Sequence, residues 1–177
     1  MVRLFSFVLV CVIAVLPLSG SGAGAAGRLD DATILAIYDQ ANTADILTGR
    51  LAAKYGASEE VRALGRMVAT DHVAVQQMGR DLAKKLGVLP TPPDGDTSIM
   101  DSARAVAMLQ SKRGAEFDRE YLRYEVAFHQ GVIEAVKGTL LPAVSNAELR
   151  SLMTTVLPGF EHHLAATKAA AVKMGVK

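Results

Sequence analysis

The sequence predicts an all-α protein: an up-down four-helix bundle with a short extra helix before the third long one, carried behind an export signal. Three observations predict it. Four long stretches place apolar residues three and four apart, and no stretch alternates as a strand does. Capping residues and glycine or proline stops bound the stretches. A short apolar leader precedes the first of them.

The leader is Met1-Val2-Arg3, then a nearly unbroken apolar run from Leu4 to Leu18, then small residues with Ala23-Gly24-Ala25 as a cleavage site. The run of about 15 residues is short of the roughly 20 that span a bilayer. Residues 1–25 therefore read as a cleaved signal peptide and residues 26–177 as one domain, periplasmic or secreted, with no stable membrane span after cleavage. The single cysteine, Cys11, follows Val10 in the middle of the run, so lipidation is not expected. Without cysteine, the domain cannot depend on disulfides. The chain has 19 basic and 18 acidic residues, and Arg3 belongs to the leader, so the domain is near neutral. It lacks the basic footprint that nucleic acid requires.

The first helix is expected from about Asp31 to Tyr55, with acidic residues at its start to suit the helix dipole. Gly56-Ala57 makes a tight stop. Ser58 caps the second helix, Glu59 and Glu60 fill its first turn, Lys84 and Lys85 its last, and Gly87 ends it. Val88 to Thr97, with three prolines, is the crossover between two hairpins. A short helix from about Ser98 to Ser111 follows, then the third long helix from about Ala115 to Leu140, closed by Pro142. Ser145-Asn146-Ala147-Glu148 has the form of a capping box and opens the fourth, which extends to about Met174 with Pro158 inside it as an expected kink.

At about 100° per residue, the helical wheels put ionisable residues where a bundle should be apolar. Asp45 falls among Ile34, Tyr38, Ala41 and Ala52 on the first helix. Asp71 falls among Leu64, Val68, Val75, Met78 and Leu82 on the second, with His72 on the edge of that arc. Asp118, Glu125 and His129 share one stripe of the third helix. On the fourth, His163 points inward, while its neighbours Glu161 and His162 point out. Counted along the helices, Asp45, His72 and His129 stand at similar heights, and His163 stands roughly 9 Å off at about 1.5 Å per residue.

Burying unpaired charges is costly, so such groups find partners. Two readings follow. In the first, Asp45, Asp71, His72, Asp118, Glu125, His129 and His163 supply ligands for a transition metal: zinc, iron, manganese or copper. In the second, the same groups form a metal-free hydrogen-bond network in a structural or interaction module of the envelope. A di-iron bundle needs Glu-x-x-His on two helices, and this chain has Ala69 and Gly159 three residues before His72 and His163. That disfavours oxidase or iron-storage chemistry and points to a mononuclear site. The methionines are spread over several helices as core packing, and no serine or threonine has an acid-base arrangement that would suggest a hydrolase. A binding role is therefore expected ahead of an enzymatic one, a redox enzyme using a bound metal and oxygen species being the third reading.

The sequence also resembles the DUF4142 family of exported bacterial proteins. The matching stretches are Ala44-Asp45 with Leu51-Ala52, Val61-Arg62 with Met67-Val68-Ala69-Thr70-Asp71-His72, Phe117-Asp118-Arg119-Glu120-Tyr121 leading to His129, and Leu157-Pro158 with His163-Leu164. They span nearly all of the domain. The resemblance implies a ferritin-like four-helix bundle outside the cytoplasm, with no assigned reaction. The chain departs from the family's usual Glu at Asp45 and its frequent Gln at Glu125.

Overall fold

Asp30 begins the helical part: its carboxylate accepts the N–H of Thr33 at 2.8 Å and caps α1 (Asp31–Tyr55). The structure, a computed structural model, describes residues 29–176; the expected signal peptide, its cleavage site and Cys11 lie outside the described residues. Ser58 caps α2 (Glu59–Leu86) by accepting from Val61 N, and Gly87 ends it in the left-handed region at φ 64°. Then come α3 (Ser98–Gln110), α4 (Gly114–Ala135), a π-helical turn (Val136–Leu140), the single turn α5 (Leu141–Ala143) and α6 (Ala147–Lys173). The third long helix is thus not one α-helix to Leu140 but changes to π geometry after Ala135. Asn146, not Ser145, caps α6, accepting from Glu148 N and Leu149 N. The Ser145 hydroxyl is engaged elsewhere, by Asp31. Pro158 lies inside α6, which continues through it.

Among the described residues the regular structure is all helical, and the long helices pack as a bundle. α1 and α2 run antiparallel: the Tyr38 hydroxyl donates to Val75 O at 2.7 Å near one end, and Gly49 meets Gly65 near the other. α4 and α6 form the second pair, with α2 against α6 and α1 against α4 closing the bundle. α3 lies on α1 and α4 and buries Leu109 beside Phe117, Tyr121 and Leu122. At the opposite end Ile34, Leu35, Val136, Leu140, Leu149 and Met153 form a second apolar cluster. The polar site lies between these two ends. Among the described residues, no helix is long and apolar enough to cross a membrane.

Two aspartates at helix starts hold the opposite hairpin's turn. Asp118, near the start of α4, accepts from Ala57 N at 2.7 Å and Ser58 N at 2.8 Å, tying down the α1–α2 turn. Asp31, at the start of α1, accepts from Ser145 N and Asn146 N, both at 2.9 Å, tying down the turn before α6. The fold needs these charges where backbone N–H groups converge.

The α1–α2 contact is close because it is built of small residues. A Cβ placed on Gly65 would lie 2.6 Å from both Ala53 N and Gly49 O. Gly65→Ala is therefore expected to push the two backbones apart and cost about 1–3 kcal/mol, measurable as a lower urea midpoint. An unchanged midpoint would show that α1 and α2 separate freely.

Candidate metal centre

Three helices deliver one histidine each to the same layer: His72 from α2, His129 from α4 and His163 from α6. Their ring centroids stand 5.2–5.5 Å apart in all three pairings, a nearly equilateral triangle. All three side chains are buried. Phe160, three residues before His163, stacks parallel on His72 at 5.1 Å and covers that face. Asp45 from α1 and Glu125 from α4 lie beside the triangle, also buried. The ligand atoms of His72, His129 and His163 lie within 4.8 Å of one another, as do those of Asp45, Glu125 and His129, so His129 belongs to both groups.

Hydrogen-bond partners dictate the tautomers. Asn42 donates its amide N–H to Tyr38 O at 2.8 Å, which turns its Oδ1 toward His72 Nδ1, also 2.8 Å away. Oδ1 only accepts, so the proton of His72 sits on Nδ1 and its Nε2 carries a lone pair. His163 Nε2 stands 2.9 Å from Asp71 Oδ2, so that nitrogen donates and Nδ1 is bare. His129 Nδ1 stands 3.3 Å from the backbone oxygen of Glu125, which leaves its Nε2 bare. The bare nitrogens of His72 and His163 face each other at 3.2 Å. Asp45 Oδ2 lies 3.3 Å from the same His72 Nε2. His129 Nε2, Asp45 Oδ1 and both carboxylate oxygens of Glu125 are buried with no hydrogen-bond partner among the described residues. Glu125 Oε1 is 3.3 Å from His129 Nδ1 but lacks a hydrogen bond's alignment.

The centre therefore gathers acceptors facing acceptors, an arrangement that added protons or a cation would relieve. Burial sets which groups hold protons when no cation does. It pushes the Asp45 carboxyl well above the usual carboxylate range, with the charge of Glu125 adding to the effect, and raises Glu125 to about 8. Burial depresses His129 to about 4 and His72 further, and the neighbouring histidines add to both shifts. Burial also raises Tyr121, whose hydroxyl has no partner, and Tyr124.

Two expectations about direction are corrected here. Asp71 does not point into the bundle: its side chain is 54% exposed, and it touches the centre only through His163. His72, expected on the edge, is the buried one of the pair. The aliphatic arc used for orientation is skewed: Met78 is 52% exposed, while the face of α2 toward α1 is Gly65, Ala69, Gly79 and Ala83. The height expectation for His163 is corrected as well, since it reaches His72 directly. Asp118 is buried but joins neither ligand group; its oxygens hold the α1–α2 turn. Asp118→Ala is expected to strand two N–H groups, lower stability by about 2–5 kcal/mol and leave metal affinity unchanged, as denaturation and metal titration would report. A selective loss of metal affinity would place Asp118 in the centre instead.

Asn42 escaped sequence analysis. Its signal was available: it lies three residues before Asp45, on the same inward arc.

A family model described as "Domain of unknown function (DUF4142)" matches residues 17–170. Comparison with solved structures gives similarity to one titled "Crystal structure of DUF305 fragment from Deinococcus radiodurans", at TM-score 0.70 and 14% identity, covering 80% of this chain and 95% of that one. That likeness speaks to the helical fold alone. No curated protein matches the chain.

Proposed function

Since the chain belongs to the DUF4142 family, whose model carries no reaction, we propose from the geometry that it binds one transition-metal ion through His72, His129 and His163. The observation that carries this reading is the tautomer pattern. Each histidine spends its proton on an outer oxygen and keeps its bare nitrogen inward. Metal-ligating histidines are held in this way, with the second nitrogen donating to a carboxylate, carbonyl or amide oxygen.

The spacing supports a tetrahedral ion. Bonds of about 2.0–2.1 Å imply ligand–ligand edges of about 3.3 Å. The His72–His163 and His72–Asp45 separations, 3.2 and 3.3 Å, have that length. Asp45 is the fourth ligand on this reading. With Glu125, it supplies two negative charges against a dication, which a buried site requires. Nitrogen-rich tetrahedral ligation suits zinc first, then copper.

The metal-free network draws support from the Asp71–His163 and His72–Asn42 hydrogen bonds, and becomes continuous when one added proton sits between His163 Nδ1 and His72 Nε2. It leaves Glu125 and His129 Nε2 without protein partners. The enclosed position suits holding an ion rather than turning over a substrate. With the expected signal peptide, the reading becomes an exported, ferritin-like bundle in metal handling or envelope stress.

The untagged domain, loaded with zinc and passed over a desalting column, is expected to retain one equivalent by elemental analysis and to gain several degrees in Tm. His72→Ala/His163→Ala should retain none. Wild type free of zinc, iron, manganese and copper after loading would overturn the reading, as would equal retention by the double variant.

A further inference from the structure

The enclosed centre raises the question of how an ion reaches it. Asp45, Glu125, His72 and His129 are all buried, and Phe160 covers the ring of His72. Among the described residues, Asp71 is the solvent-exposed side chain that hydrogen-bonds to the triangle. Asp71 is 54% exposed, and its Oδ2 lies 2.9 Å from His163 Nε2. His163 is thus double-sided: Nε2 meets a solvent-facing carboxylate, while Nδ1 faces His72 Nε2 at 3.2 Å. One ring rotation separates the outer partner from the inner ligands. The helix that carries His163 has Pro158 five residues before it, so the ladder lacks one N–H there and is softer for opening. Gly159 beside it has no contact that a Cβ would meet.

Resting on the metal-binding reading above, we propose that Asp71 captures a divalent cation at the surface, that the His163 ring turns its bare Nδ1 outward to share the ion, and that the ring carries the ion inward as it turns back. The carboxylate attracts the cation from solvent, Nδ1 of the turned ring supplies the second donor, and the proton stays on Nε2 throughout. The ion then keeps Nδ1 of His163 and exchanges Asp71 for the bare nitrogens of His72 and His129 and for Asp45. Release follows the reverse path, so Asp71 governs both rates more than the affinity.

The test mixes the full metal-free domain rapidly with cobalt(II) alone and follows visible absorption of the bound ion. Asp71→Asn keeps an oxygen that accepts from His163 Nε2 but removes the charge. Its uptake is expected to slow about tenfold or more, with release slowed in step, equilibrium affinity held within about threefold, and a weaker dependence of the rate on salt. Asp81→Asn, the same charge change at an exposed position further along α2, should load at the wild-type rate. Wild-type uptake by Asp71→Asn, or equal slowing by Asp81→Asn, would overturn the entry route while leaving the buried site intact. Failure of the wild type to bind cobalt(II) at equilibrium would instead remove the metal-binding reading on which the route rests.

Discussion

His129→Ala is expected to lower zinc affinity by about two orders of magnitude or more while the bundle stays folded. Binding at structural zinc sites is worth about 10–16 kcal/mol, or about 3 kcal/mol for each of four ligands, which corresponds to a factor of about 10². His129 is the decisive position because it belongs to both ligand groups. Among the described residues its inward Nε2 has no hydrogen-bond partner, so hydrogen bonding accounts for only one side of the ring. Removing a buried ring leaves a cavity, at an expected cost of about 1–3 kcal/mol in the metal-free protein. Competition against a chromophoric chelator measures the affinity, and urea unfolding of the metal-free form checks that the variant is folded. Unchanged affinity in a folded variant would contradict the histidine triangle. Leu149→Ala, in the remote apolar cluster, is the control: it should cost stability and leave affinity as it was.

The sequence showed the helices well because caps and stops are local. Asp30, Ser58 and Gly87 act through neighbours one turn away, and their roles depend on nothing distant. Inward direction was harder to read. It was legible for Asp45, Glu125, His129 and His163, which sit among large apolar neighbours. It failed at Asp71 and His72 because close helix contact is made by glycine and alanine, which carry little hydrophobic weight. Asp118 shows a different limit. Its position on the apolar stripe was read correctly, yet its partners are backbone groups about 60 residues away, which only the fold brings near. The same holds for the tautomers: Asn42, Asp71 and the Glu125 carbonyl define them from three helices, and no spacing in the chain reports their meeting.

Glu125→Gln is expected to move stability and metal affinity in opposite directions. Burial raises the carboxyl of Glu125 to about 8 from 4.5. The folded chain thus keeps this proton after the unfolded chain has lost it. The resulting stability is complete below about pH 4.5 and declines as pH rises toward 8. His129 behaves oppositely: depressed to about 4, it stays neutral in the folded chain while the unfolded imidazole charges below 6.5, so its contribution is lost as pH falls. Between pH 4.5 and 6.5 the two trends oppose one another. Between about 6.5 and 8 the carboxyls act alone, and one such proton changes stability by about 1.4 kcal/mol per pH unit. The metal-free protein should therefore lose about 2 kcal/mol or more across that interval. Gln at 125 has the shape of the protonated acid and does not titrate, so the variant should be flatter by about that amount, leaving only the slope from Asp45. In the metal-bound protein the same change removes one of the two charges that neutralise the dication, and zinc affinity should fall about tenfold or more. A stability gain at pH 8 without metal, paired with weaker zinc binding, is the signature of a carboxylate kept for an ion. Loss of stability at pH 8 in the metal-free variant would show instead that Glu125 serves the fold.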